Sequence, residues 1–170
     1  IVAAMKAAVT IPVTIKLRLG WSEGDDAYLK IARAAEAAGV DAITLHARSR
    51  AQRYRRPASW EHVKALAGEV SVPVIGNGDI FTWREAKRRM EETGCAAVMV
   101  GRWALAKPWL FREFAEQRDI ELSPDERLAV VRRYVALCRV HFRDDEKGRA
   151  RTRRFLVFHQ DFFRRYRRNA

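Results

Sequence analysis

The chain has 170 residues, nearly half of them apolar, with five tryptophans and eight phenylalanines; this argues against disorder, and the length holds one domain or one with a small appendage. Its 33 Lys+Arg against 21 Asp+Glu give a net charge of +12, which favours a polyanionic partner, and without a long apolar run or a signal-peptide pattern nucleic acid stands ahead of membrane. The two cysteines, Cys95 and Cys138, lie in no Cys-x-x-Cys or Cys/His cluster, which argues against a disulfide framework and a metal site and fits a reducing cytoplasm.

The first segment, IVAAMKAAV, is already apolar-periodic at Ile1, so the chain reads as a fragment of a longer protein. Strand-like runs follow at Val13–Leu19, Asp41–Ala47, Val72–Gly76 and Ala96–Gly101, each too short and too β-branched for a helix. Between them lie helical signals. Asp25 to Ala38 is Ala-rich, with Leu29, Ala32 and Glu36 at helical spacing and Gly39 as a stop. Ser59 is placed to cap a helix ending near Gly68, and Thr82 with Glu85 forms a capping box for a helix closed by Gly94. Strand alternating with helix predicts βα units on a parallel sheet covered on both faces.

Two of the strands carry charge. Lys16 and Arg18 sit two apart and therefore on one strand face; a buried lysine there requires an anionic or polar partner, unless it reaches out at a sheet edge. His46 ends the second strand, followed by Arg48, Arg50, Arg53, Arg55 and Arg56 around Tyr54. The third strand runs into Gly76, Asn77, Gly78 and Asp79, and the fourth into Gly101 and Arg102. Glycines after a parallel strand either make a turn or bring backbone N–H groups close to a ligand, and the following helix start favours an anion. Two such ends on consecutive strands fit the phosphate site that (βα) barrels build after their last two strands.

After Leu110 the strands cease. Ser123, Pro124, Asp125 and Glu126 form a helix start, and Leu128, Val131, Val135, Cys138 and Phe142 follow at steps of three and four. A further helix over 151–168 places Phe155, His159, Phe162 and Tyr166 on one face. The boundary is expected near residue 120, with an α/β part over 1–120 and an all-α part over 121–170. The all-α part carries 14 of the 33 Lys+Arg and 7 of the 21 Asp+Glu, and Asp161 is the one acid among eight arginines between Arg149 and Arg168. That run is either a solvated helix face or a phosphate-backbone contact.

Taken together, KLRLGW from Lys16, LHARSRAQRY from Leu45, IGNGDI from Ile75 and VGRWALAKPWLF from Val100 resemble the second half of a bacterial tRNA-dihydrouridine synthase, most closely its B-type branch. The resemblance runs over essentially the whole chain. It implies the second half of an FMN-binding (βα)8 TIM barrel, about four βα units, followed by a small helical domain that holds tRNA. Carried over by position, Lys16 would contact the flavin ring and His46 the flavin and its ribityl chain. Asn77, Gly78 and Asp79, with Gly101 and Arg102, would hold the FMN phosphate end. Arg18, Arg48, Arg50, Arg151, Arg153 and Arg154 would face RNA. The implied reaction reduces the C5=C6 bond of a tRNA uridine in the cytoplasm, with NADPH as reductant and a cysteine as general acid.

The sequence departs from the family at that cysteine. Its Asn-x-Gly-Cys-Pro motif belongs to the first half of the barrel and is absent from this chain; Cys95 precedes a strand and Cys138 sits on a helical core face. The chain alone is therefore expected to be inactive, and an isolated half barrel, with two open sheet edges, to self-associate. Two rival readings are a different FMN- or phosphate-binding barrel enzyme, which leaves the arginine-rich helices unexplained, and a non-catalytic RNA-binding module, which leaves Lys16 and the paired strand ends unexplained.

Overall fold

The computed structural model describes residues 1–22 and 24–167, with the backbone alone for 158, 159 and 161–167. The chain divides into two compact units, residues 1–101 and 102–170. In the first, helix α1 (Val2–Ala8) precedes three βα units and a last strand: β1 (Thr14–Arg18), α2 (Ala27–Ala37), β2 (Ala42–His46), α3 (Trp60–Glu69), β3 (Val74–Asn77), α4 (Trp83–Thr93) and β4 (Ala97–Met99). The strands form one all-parallel sheet in the order β1-β2-β3-β4. Each is a little shorter than its apolar run, and β3 continues one residue past its run to Asn77.

Register assigns the two faces. Leu17, Leu45, Gly76 and Val98 are aligned across the sheet. A Cβ on Gly76 would sit 2.3 Å from the Trp60 ring and 3.2 Å from Val63, so this row faces α3. The rows on either side, Lys16–Thr44–Ile75–Ala97 and Arg18–His46–Asn77–Met99, point to the opposite face. The core lies on the helix side, where Ile43, Leu45, Val63, Leu66 and Ala32 are buried with Tyr28. On α2 the buried positions are Tyr28, Ala32 and Ala35, one step away from the expected Leu29 and Glu36. Glu36 instead reaches across to accept from the Ser71 and Val72 amides.

The capping signals have mixed outcomes. Thr82 accepts from the Glu85 amide, but the Glu85 carboxylate accepts from the Phe81 amide at 3.1 Å, so the expected capping box is only half made; Gly94 closes α4 in the left-handed region at φ 71°. Ser59 stands at the N-cap of α3 but its side chain makes no capping bond. No residue of α1 is buried, so its apolar pattern does not mark a core face within this chain.

The second unit contains α5 (Arg102–Ala106), α6 (Leu110–Glu116), α7 (Pro124–Phe142) and α8 (Glu146–Arg167). The expected helix start at Ser123 is borne out, and Ser123 and Glu126 form a reciprocal capping box on α7 that was not foreseen. Buried Glu113 accepts from the Ile120 amide and pairs with Lys107 at 2.7 Å. The five-residue face expected on α7 buries Cys138 alone, while Leu128 and Val131 are exposed, because packing against one helix covers a seam rather than a face. Helix α8 begins at Glu146, ahead of the expected Arg151, and Phe155 stacks on Phe142 with centroids 5.8 Å apart. The expected positions of His159, Phe162 and Tyr166 lie outside the described side chains, as do those of Arg164, Arg165, Arg167 and Arg168.

Candidate functional site

The site grows from the row Arg18–His46–Asn77 at the C-terminal ends of β1, β2 and β3. Parallel strands bring these residues together because the helical returns place every strand end on the same edge of the sheet. Beyond the row, β3 turns through Gly78 at φ 133° and Asp79 at φ 52°. The first is a glycine conformation. A Cβ at Gly78 would lie 2.6 Å from the Ala58 Cβ, 3.5 Å from His46 Cδ2 and 3.6 Å from Arg48 Nη1, so the backbone there runs directly beside the His46 ring and the Arg48 fork. The buried Trp60 Nε1 donates to the Gly78 carbonyl at 3.1 Å and fixes the turn.

Asp79 is a brace in this arrangement. Its Oδ2 accepts from the Ala58 amide at 2.8 Å and from Arg48 Nη2 in a short ion pair. Arg48 Nε donates to the Arg56 carbonyl at 2.8 Å, and the residue is 3% exposed. Its Nη1 is buried with no hydrogen-bond partner. Asn77 is likewise committed, donating from Nδ2 to the Met99 carbonyl at 2.7 Å and so tying the ends of β3 and β4. Arg18 reaches the Ser49 carbonyl at 3.3 Å.

Positive charge dominates the cluster. Burial, then the charges of Arg18, Lys16 and Arg48, push the His46 pKa down to about 4, against a smaller opposing pull from Asp79. Lys16 is lowered by its own partial burial and by Arg18, although its surface is exposed on the open face of the sheet. The sequence expectation of a buried lysine is corrected on this point, since Lys16 is exposed among the described residues. A neutral imidazole among three cations and one carboxylate is an electrostatic deficit that an anion would fill. A phosphate fits the charge of these residues: Arg48 Nη1 is buried without a hydrogen-bond partner, and the Asp79 carboxylate that would repel the anion is turned into the ion pair.

Of the residues expected at a site, Lys16, Arg18, His46, Asn77, Gly78 and Asp79 share one edge of the first unit. Gly101 follows β4, and Arg102 opens α5 in the second unit. Arg48, expected on an RNA face, is buried in the cluster. Arg50, Arg151, Arg153 and Arg154 are exposed, with Arg151 over Phe142 at 5.3 Å. Sequence reading missed Ala58 and Trp60, whose partners lie 21 and 18 residues away respectively; no local signal announces them. Among the described residues no group of three or more His, Cys, Asp or Glu could hold a metal ion, and no helix is long and apolar enough to cross a membrane.

Comparison with known proteins gives a match of residues 1–168 to the family model described as dihydrouridine synthase. A tRNA-dihydrouridine(47) synthase-like protein of Rattus norvegicus is 40% identical over 98% of this chain and 26% of its own length. Its Homo sapiens counterpart is 38% identical over the same shares. A probable tRNA-dihydrouridine synthase of Aquifex aeolicus (strain VF5) is 45% identical over 69% of this chain and 37% of its own length. The chain therefore spans about a quarter of the first two relatives. These similarities do not single out the B-type branch. A mandelate oxidase structure aligns over 57% of this chain and 40% of its own at 23% identity and a TM-score of 0.40, too loose a likeness to argue from.

Proposed function

This chain belongs to the dihydrouridine synthase family, and we propose that it forms the second half of an FMN-binding (βα)8 barrel, with a helical tRNA-binding part, in a cytoplasmic enzyme that reduces tRNA uridines. The observation that carries the reading is the cationic strand-end cluster wrapped around Gly78, with His46 held neutral by burial and then by Arg18, Lys16 and Arg48. When bound, FMN reduced by NADPH supplies a hydride to C6 of the uracil. C5 takes a proton, NADPH is oxidised, and the C5=C6 bond becomes single.

Within this chain the Gly78 backbone takes the phosphate end, joined by Gly101 and Arg102. Asn77 and Asp79 shape that loop through Met99, Ala58 and Arg48 rather than acting as anion donors. Lys16 lies toward the flavin ring, where its lowered pKa eases desolvation, and neutral His46 is a hydrogen-bonding group rather than a cation. Arg48 adds its charge from within the cluster. Arg18, Arg50, Arg151, Arg153 and Arg154 contact the RNA backbone.

The test uses the complete protein. FMN released on denaturation, and tRNA uridine gaining two hydrogens by mass spectrometry in the presence of NADPH, are the expected results. Loss of bound flavin in Lys16→Ala and Arg102→Ala, with the fold retained, places the cofactor as described. A folded protein that binds tRNA but never flavin would sink the reading and favour a non-catalytic RNA-binding module.

A further inference from the structure

An exposed aromatic platform stands next to the strand-end cluster. Trp21 is 67% exposed, yet it is held on three sides of its backbone and ring. Its amide donates to Asp25 Oδ2 at 2.9 Å, and its carbonyl accepts from the Ala51 amide at 2.8 Å. The Arg50 amide donates to the Gly20 carbonyl at 2.9 Å, and the Arg50 guanidinium carbon lies 4.8 Å from the indole centroid. Gly20 is required for this closure, because a Cβ there would lie 2.4 Å from the Asp25 carboxyl carbon. The loops after β1 and β2 are thus zipped together, and they present an indole already stacked on one side by arginine.

Such an exposed indole is out of place on a merely solvated loop. Ordering it costs entropy, and its large apolar surface remains in water. The surrounding charge says what it faces. Residues 47–57 hold Arg48, Arg50, Arg53, Arg55 and Arg56 and no acid, and Tyr54, 57% exposed, bridges to the cluster, its ring 6.3 Å from the His46 ring and under Arg48 at 5.7 Å. A flat π surface in a positive field beside the strand-end cluster suits an unstacked nucleobase whose phosphates run along the arginines, the arrangement used to hold single-stranded RNA. We propose that Trp21, braced by Arg50, is a stacking platform for one unpaired base of the RNA, adjacent to the base that enters the strand-end site. The inference rests on the RNA-substrate reading above and adds a residue and a contact that the reading does not require.

The complete protein and unmodified tRNA test it, with binding followed by fluorescence anisotropy at several salt concentrations. Trp21→Ala is expected to weaken tRNA binding about tenfold while leaving the slope of log affinity against log salt unchanged, since an indole neutralises no phosphate. Trp21→Phe keeps a stacking ring and recovers most of the affinity. Arg50→Ala weakens binding and lowers the salt slope by about one. Intrinsic fluorescence is quenched by tRNA more in the wild type than in Trp21→Phe. Wild-type tRNA binding with Trp21→Ala equally tight overturns the platform and leaves the enzyme reading intact. Loss of bound flavin and of thermal stability in both Trp21 variants identifies a structural role and also overturns it. A complete protein that binds no tRNA overturns the underlying reading instead.

Discussion

At Asp79 the carboxylate serves the Ala58 amide and the Arg48 guanidinium together, so the residue's charge stabilises its neighbour rather than a ligand. Truncating it strands a guanidinium that is 3% exposed. Asp79→Ala should therefore cost about 3 kcal/mol in urea unfolding of the complete protein, with Asp79→Asn between it and the wild type because the Ala58 bond survives. Equal stability of all three would show that Arg48 is satisfied elsewhere. His46 gives a pH signature. Its folded pKa, about 4, lies below the ordinary histidine value of about 6.5, so the unfolded chain binds the extra proton first. The stability from a neutral His46 is complete above about pH 6.5 and is lost as pH falls toward 4. A histidine NMR titration should show no His46 inflection near pH 6.5, and inorganic phosphate in the cluster should move its pKa upward by offsetting Arg18, Lys16 and Arg48. His46 was legible because it ends a strand. The pairing of its neighbour Arg48 with Asp79 was not, because the loop closing the gap between them carries no periodicity.

Strand β3 and helix α3 are coupled through one aromatic side chain. Trp60 fills the space over Gly76 and donates to the Gly78 carbonyl, so the two glycines that looked like a turn signal do different jobs: one admits a ring and the other bends the chain. Gly76→Ala places a Cβ 2.3 Å from that ring. It should lower stability by about 1–3 kcal/mol and release the Gly78 turn, so that thermal unfolding and flavin retention fall together; stability lost with flavin affinity unchanged would uncouple the two. Elements were readable where the signal was local. β-branched runs gave all four strands, and Thr82, Gly94 and Ser123 marked helix ends because capping involves groups within three or four residues. Burial on α2 and α7 was not readable from spacing, since a helix face becomes core only where another element covers it. Ser59 occupies its N-cap position without the bond because residue type does not fix the side-chain rotamer.

For the whole chain, the compact units part after Gly101, ahead of the boundary near residue 120 that the loss of strands marked. Helices α5 and α6 belong with α7 and α8, as the Glu113 bonds to Ile120 and Lys107 illustrate; a change in periodicity locates the last strand, not the packing of the helices after it. The same geometry bears on proton delivery. Cys95 is buried four residues before Met99, which at strand rise puts it about 13 Å below the edge where the cationic row lies. Cys138 is buried on α7 beside Tyr134, whose pKa is pushed up to about 12 by burial and by its hydrogen bond to that thiol. Cys95 is thus too far from a uracil laid across the strand ends to protonate it, and Cys138 is closed off by the packing of its own helix. The complete protein carrying Cys95→Ser and Cys138→Ser together is therefore expected to reduce tRNA uridine within about twofold of the wild-type rate, whereas loss of a true general acid costs about a hundredfold or more. If the double variant keeps its flavin and its tRNA affinity but loses uridine reduction, one of these thiols supplies the proton, and the site must be drawn around it instead of around the strand ends.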